Sequence, residues 1–161
     1  MYNLLYVHLI PPMATIKFYC ADIHTTPITN KKFLKSFISY LFKKEKKSLA
    51  SLSYVFASDN YLLEINQKHL KHNFFTDIIT FDLSNNTKEI IGEAYISVER
   101  VRENAIKQKT TLKKELLRVI FHGALHLCDY TDKKKSEITI MRQKEEEYLC
   151  LFEEQLKNSS T

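Results

Sequence analysis

Glycine and proline are scarce in this chain, two and three among 161 residues. That scarcity excludes collagen-like and linker-rich architectures, and no segment recurs at a period of about 20 to 50 residues, which excludes solenoids. Cysteine is sparse too. Cys20, Cys128 and Cys150 are odd in number, far apart and form no CxxC pair, so neither a disulfide framework nor a thiolate zinc knuckle is implied and a reducing cytoplasm is the expected location. No apolar run is long enough to span a bilayer, and the apolar start, Met1 to Ile10, lacks a basic leader and a small-residue cleavage site. Neither an export signal nor a membrane partner is expected.

What is there fits one domain. A hydrophobic share of 44% in a chain of this length can bury a single core without staples. Lys and Arg number 24 against 19 Asp and Glu, a net charge of +5. The excess is local: seven lysines lie between Lys31 and Lys47 against Glu45 alone, whereas Arg142 to Lys157 is net acidic. A localised basic field suits a polyanion such as nucleic acid, although a solvated helix face has the same composition. Pro11-Pro12 separates the apolar start from Met13, where a regular pattern begins. The expectation is a domain over 13–161 with translation starting at Met13, and residues 1–12 as a disordered or mis-assigned extension.

Ile16 to Cys20 alternates and is rich in β-formers, predicting a first strand. Thr29 is placed to cap a helix whose Phe33, Phe37, Ile38, Leu41 and Phe42 recur at helical spacing, with the lysines opposite. Ser51 to Ser58 predicts a second strand, and Ser58 or Asp59 a cap for a helix carrying Leu62, Leu63, Ile65 and Leu70. Strands follow at Thr76 to Asp82 and Glu93 to Val98, joined by a turn through Asn85 and Asn86. Glu99 to Lys107 predicts a short helix, and Thr110 or Thr111 caps the next, which runs to about Cys128. Ser136 to Lys157 predicts a long closing helix with Ile140, Leu149, Leu151 and Phe152 inward. Interleaved strands and helices give an α+β class, a small mixed sheet of about four strands against about five helices with the histidine-bearing helix central.

The chemistry concentrates on that helix. His122 and His126, four apart, fall on one face and can grip one ion. Asp132 can close a third side if the chain turns at Asp129 to Thr131, leaving a fourth position for water, which is what makes a metal catalytic. Glu115 and Arg118 share the stripe with the histidines and are the candidate catalytic side chains, while Leu116, Val119, Ile120, Ala124 and Leu127 supply a separate apolar face. Cys128 follows His126 by two and points off the stripe. In the HExxH peptidase pattern a general-base Glu follows the first His; here that residue is Gly123, so the spacing is peptidase-like and the chemistry is not. Gly123 instead permits a strand or a substrate backbone to approach closely. Spacing alone leaves a metal site and a pair of structural or surface histidines as alternatives.

In full, His122-Gly-Ala-Leu-His126-Leu-Cys-Asp-Tyr-Thr-Asp132 resembles the H-G-x-L-H-L-x-G-Y-D-H signature of the YbeY family of bacterial endoribonucleases. Met141 and Glu145 stand where that family carries M-x-x-x-E. Thr76-Asp-Ile-Ile-Thr-Phe is similar to its T-D-V-L-S-F strand, Gly92 to Ser97 to G-D-I-x-I-S, and Ile65-Asn66 to an L-N before it. The resemblance covers about residues 13 to 155, with several spaced motifs in order. It implies a metal-dependent, single-strand-specific endoribonuclease of the cytoplasm, acting in ribosomal RNA maturation and ribosome quality control. Its partners would be ribosomal RNA precursors and the small ribosomal subunit, with no small-molecule cofactor. The implied ion is one zinc, with Fe(II) or Mn(II) as alternatives.

His122 and His126 carry over as metal ligands, and Asp132 stands where the family has a third histidine. A carboxylate lowers the charge of the site by one, leaves a bound water less acidified, and suits Fe(II) or Mn(II) better than three imidazoles do. Leu70 stands where the family carries an Arg that meets substrate phosphate, which leaves Lys68, His69, Lys71, His72 and Arg118 as candidates for that role. Asp129 replaces a Gly at the helix exit, a left-handed position that Asp tolerates better than most residues. Two other readings stay open: a non-catalytic ribosome-assembly RNA-binding factor with a structural metal, and a metal hydrolase of another substrate such as a peptide.

Overall fold

Four strands of the computed structural model, which describes residues 14–85 and 88–159, pair into one sheet. They are β1 (Thr15–Cys20), β2 (Leu49–Ala57), β3 (Ile78–Asp82) and β4 (Ile90–Ser97), in the spatial order β1-β2-β4-β3. β1, β2 and β4 run parallel, and β3 is antiparallel to β4 at the free edge. The helices are α1 (Lys31–Lys44), α2 (Asp59–Ile65), α3 (Val98–Lys107), α4 (Leu112–Leu127) and α5 (Lys135–Ser159), with a single π-type turn, Asn66–Leu70, extending α2. A single α+β domain with a four-stranded mixed sheet and five helices is what the periodicities predict. The expected extension over 1–12 and the expected start at Met13 lie outside the described residues, as does Asn86 of the predicted turn.

Side chains alternate across a sheet, so Leu52, Tyr54 and Phe56 of β2, Ala94 and Ile96 of β4 and Ile78 of β3 share one face and enter one core with α1, α4 and α5. α4 crosses the middle of that core, which is why its Leu116, Val119, Ile120, Phe121, Ala124 and Leu125 are all buried. Tyr54, fully buried, donates its hydroxyl to the Ile120 carbonyl at 2.9 Å, so the polar group it brings inside is satisfied. Gly123 allows the close approach of β3: a Cβ there would stand 2.6 Å from Cδ1 of Ile78 and 3.1 Å from Oγ1 of Thr80. The opposite face carries a smaller cluster, Ala57, Leu62 and Ile79, under α2.

Ser58 and Thr111 cap α2 and α4 as predicted, accepting from the N–H groups of Tyr61 and Lys114. At α1 the cap is Asn30, accepting from the Phe33 N–H, one residue later than the expected Thr29. On α5 the inward stripe is Met141, Glu145, Tyr148, Leu149 and Phe152, with Leu151 half-buried against the core. Ile140 is corrected: it is 49% exposed, because its neighbour Met141 occupies the core-facing position and successive helical residues are turned by about 100°. Leu70, expected on the apolar face of α2, is exposed at the end of the π-type turn.

Three helices end alike. α1, α3 and α4 each close with paired N–H to carbonyl bonds of the Schellman type, and the left-handed residue is Lys46 (φ 57°), Lys109 (φ 52°) and Asp129 (φ 71°) respectively. Glycine is favoured at that position. Both glycines of this chain are spent on close packing instead, Gly92 against Leu127 and Gly123 against β3.

Candidate metal centre

His122 and His126 stand one turn apart on α4, and the end of α4 determines what joins them. The Asp129 N–H donates to the His126 carbonyl and the Tyr130 N–H to the Leu125 carbonyl, each at 3.1 Å. With Asp129 left-handed, the chain reverses as the sequence predicts and carries Asp132 back over the histidines. Oδ2 of Asp132 lies 3.5 Å from Nε2 of His122 and 3.7 Å from Nε2 of His126, and the two Nε2 atoms are 2.9 Å apart. Donors bonded to one ion at ~2.0–2.1 Å in a tetrahedron stand about 3.3 Å apart, so the three separations bracket what an ion requires.

The other ring nitrogens settle the tautomers. Nδ1 of His122 is 2.6 Å from Oε1 of Glu145, and Nδ1 of His126 is 2.9 Å from the Tyr130 carbonyl. An ionised carboxylate and a carbonyl only accept, so both Nδ1 atoms carry a proton, and in the neutral rings both Nε2 atoms present lone pairs. Two lone pairs at 2.9 Å repel unless a cation lies between them. Burial and the neighbouring His122 hold the His126 imidazole below its ordinary pKa, against the Tyr130 carbonyl, Asp132 and Glu145, which favours the neutral ring with its Nε2 lone pair open to a cation. A divalent cation fits, with Asp132 as the third donor and the histidines fixed as in carboxylate–histidine–metal sites.

Behind the histidines, Arg118 organises three carboxylates. Its Nε and one terminal nitrogen take both oxygens of Glu115, at 3.0 and 2.7 Å, the same terminal nitrogen reaches Asp77 at 3.3 Å, and the other reaches Glu145 at 3.3 Å. Burial raises the Glu145 carboxyl, but the hydrogen bond from His122 and the Arg118 charge outweigh it and hold the group below its ordinary value. Burial also works against the Arg118 cation, and its three carboxylates more than compensate. Glu115 is 1% exposed, with both oxygens on Arg118. Cys128, off the stripe as expected, is buried, and burial together with Glu45 pushes its thiol up to about 12.

Two openings meet at this centre. One, of about 580 Å³, runs between the π-type turn and β3 and is lined by Leu70, His72, Phe74, both histidines and Lys133. The other, of about 450 Å³, lies between α4 and α5 and is lined by Arg118, Arg142, His122 and Asp132. Of the residues named as phosphate candidates, His72 and Arg118 therefore reach the centre, whereas Lys68 and His69 face a separate cavity. Lys133, next to Asp132 in the chain, also lines the histidine groove. Within the basic segment, Lys44 pairs with Glu147 at 3.0 Å and Lys47 with Asp129, while Lys31, Lys32, Lys43 and Lys46 are exposed without an ion pair among the described residues.

Spacing could not show the Tyr130 carbonyl, Asp77 or the role of Glu145. Glu145 did leave a signal, since a carboxylate on the inward stripe of an amphipathic helix requires a partner.

The family described as endoribonuclease YbeY matches residues 16–153. An endoribonuclease YbeY of Flavobacterium psychrophilum is 49% identical over 117 residues, 73% of this chain and 83% of that protein. One from Parabacteroides distasonis is 38% identical over 142 residues, 88% of this chain and 99% of the relative. The solution structure of a Thermotoga maritima protein superposes with a TM-score of 0.57 at 25% identity, covering 90% of this chain and 93% of the other.

Proposed function

The chain belongs to the YbeY endoribonuclease family, and from that we propose that it is a metal-dependent endoribonuclease that cuts single-stranded ribosomal RNA precursors at the His122, His126 and Asp132 centre. The observation that carries this reading is the pair of facing Nε2 atoms at 2.9 Å, with both Nδ1 protons committed elsewhere. A divalent ion bound there supplies Lewis-acid polarisation of the phosphodiester and activation of its attacker. Zinc suits the two imidazoles, and the Asp132 carboxylate widens the choice to Fe(II) or Mn(II).

The chain's own residues do the rest. Lys133 and Arg142 flank the centre from its two openings and steady the charge that develops on the phosphoryl oxygens. His72, stacked on Phe74 at 5.2 Å and 22°, offers a flat rim on which an unpaired base can rest. Arg118 and Glu115 are positioning residues: Glu115 holds Arg118, Arg118 donates to Glu145, and Glu145 orients His122. The exposed lysines of α1 track RNA backbone with salt-sensitive affinity. In this reading the protein works in ribosome maturation and quality control in the cytoplasm, with the small ribosomal subunit presenting the substrate.

The experiment is metal analysis of the purified protein together with cleavage of single-stranded RNA by wild type and His126→Ala. Copurifying metal, loss of cleavage on chelation and loss in the variant are the expected results. Metal-free protein that still cleaves RNA would overturn the reading. The apolar Leu70 in the groove favours one competitor, a non-catalytic assembly factor; in that case wild type and His126→Ala bind RNA equally and neither cuts it.

A further inference from the structure

The sheet face turned away from α4 carries a cavity of about 420 Å³, enclosed by α2 and its π-type turn on one side and by β3 and β4 on the other. Its walls are aromatic. The Tyr61 and Tyr95 rings stack at 6.5 Å and 26°, and Phe81 meets Tyr95 edge-on at 6.0 Å and 81°. The neighbouring apolar cluster of Ala57, Leu62 and Ile79 is closed, at 0% to 5% exposure, whereas these three rings are half-buried and leave room between them. The rings pack on that cluster with one side and face the cavity with the other.

The polar groups at this cavity complement one another. Tyr95 donates its hydroxyl to Oε1 of Glu93, and burial followed by Glu93 pushes that phenol up to about 12, so it remains a donor. The second Glu93 oxygen has no protein partner among the described residues. Lys68 stands at the rim without an ion pair among the described residues, beside the exposed carboxylate of Glu64. Flat rings, an oriented acceptor and a rim cation match the stacking face, N–H edge and phosphate of one nucleotide. Guanine presents a ring N–H and an amino group side by side, the donor pair that best complements a carboxylate; uracil presents one ring N–H.

This cavity is separate from the histidine groove but adjoins it across the π-type turn and β3. The π-type turn is a shared wall, its Asn66 and Leu70 lining the histidine groove and its Lys68 and His69 lining the aromatic cavity. β3, at the free edge of the sheet, lies between them, with Ile78 and Thr80 on the groove side and Phe81 on the other. A single strand held at His122 and His126 can cross that edge and place a base among the rings.

We propose that this cavity is a guanine-binding subsite for one unpaired nucleotide of the RNA, separate from the bond that is cut. It rests on the RNA-cleaving reading of the metal centre. The first test is an NMR titration of the full chain with 5′-GMP. Amide shifts are expected at Tyr61, Lys68, Phe81, Glu93 and Tyr95, with smaller shifts from 5′-UMP and none at His122 to Asp132. The second compares an oligouridylate carrying one guanine with plain oligouridylate by fluorescence anisotropy. Tyr61→Leu should weaken only the guanine-containing oligomer, by about 5- to 150-fold, and leave kcat at saturating RNA unchanged. Lys68→Ala, on an exposed turn, keeps the test decisive if Tyr61→Leu folds poorly; it should weaken both oligomers. GMP shifts at the histidines or nowhere, or variants that bind both oligomers like wild type, overturn the subsite. Because the GMP titration needs no cleavage, a protein that takes up GMP at the rings yet never cuts RNA counts against the metal-centre reading alone.

Discussion

Glu145 on α5 places Oε1 2.6 Å from Nδ1 of His122 on α4, 23 residues away in the chain. The contact fixes which nitrogen of His122 faces Asp132, and Arg118 fixes Glu145 in turn at 3.3 Å. The orientation of His122 depends on this relay, whereas the Tyr130 carbonyl orients His126, and none of the relay's members except His122 touches the place where an ion would sit.

Replacing Glu145 by Gln keeps the shape and removes the charge. Metal affinity should fall about 10- to 100-fold, read by competition with a chelator, with the far-UV spectrum unchanged. Unaltered affinity would show that His122 needs no such partner.

Asp132→His should restore a third imidazole and raise the charge of the site by one. The pH at which RNA cleavage rises should move down, and the metal preference should narrow toward zinc, because a neutral ligand set acidifies a bound water more than one containing a carboxylate. A pH–rate profile of wild type and variant, each reconstituted with zinc and with Mn(II), tests both statements. An unmoved profile would remove Asp132 from the ligand set.

Asp129→Gly should stabilise the fold. Asp129 is left-handed at φ 71°, and its ion pair with Lys47 involves a side chain 80% exposed, so little is lost with it. A gain of about 0.5–1 kcal/mol is expected, measured by urea denaturation with an unchanged slope. A loss of stability would mean that the Lys47 contact outweighs the backbone cost.

Glu45 gives the acid limb of stability. It accepts from Tyr148 at 2.5 Å, Tyr130 at 2.8 Å and Lys144 at 3.1 Å. Burial raises this carboxyl, and the three donors more than reverse the effect, holding it below its ordinary 4.5. A group depressed in the folded state contributes stability that is complete above its unfolded value and is lost as pH falls through the folded one. Glu45→Gln should therefore cost about 1–3 kcal/mol at neutral pH, and its deficit should shrink below pH 4.5. Urea midpoints for both proteins across that range decide the matter; a deficit independent of pH would mean the carboxylate charge is not what stabilises.

Local features were readable from residue order. The four-residue histidine spacing, the Thr111 cap, the left-handed exit at Asp129 and the return of Asp132 all lie within one helix and its turn, and all are present. So were the strands and helices, because their apolar periods are strong. The contacts made between elements were not readable, even where a residue such as Glu145 left a signal of its own. Glu145 comes from α5, Asp77 from just before β3, and the carbonyl facing His126 belongs to Tyr130, a backbone atom to which no side-chain pattern points. The π-type turn at Asn66–Leu70 also escapes, since those residues read as more of α2. It sends Lys68 and His69 to one side of the sheet edge and Leu70 to the other, a division that linear spacing does not encode.

The lock on His122 comes from α5, and α5 is synthesised after α4. During translation, then, both histidines and Asp132 emerge before the residue that orients one of their rings. A nascent chain holding α4 without α5 carries the three candidate ligands without the contact that orients His122. The orientation of His122 therefore awaits the docking of α5, so the site takes its final geometry only when that helix has packed against α4.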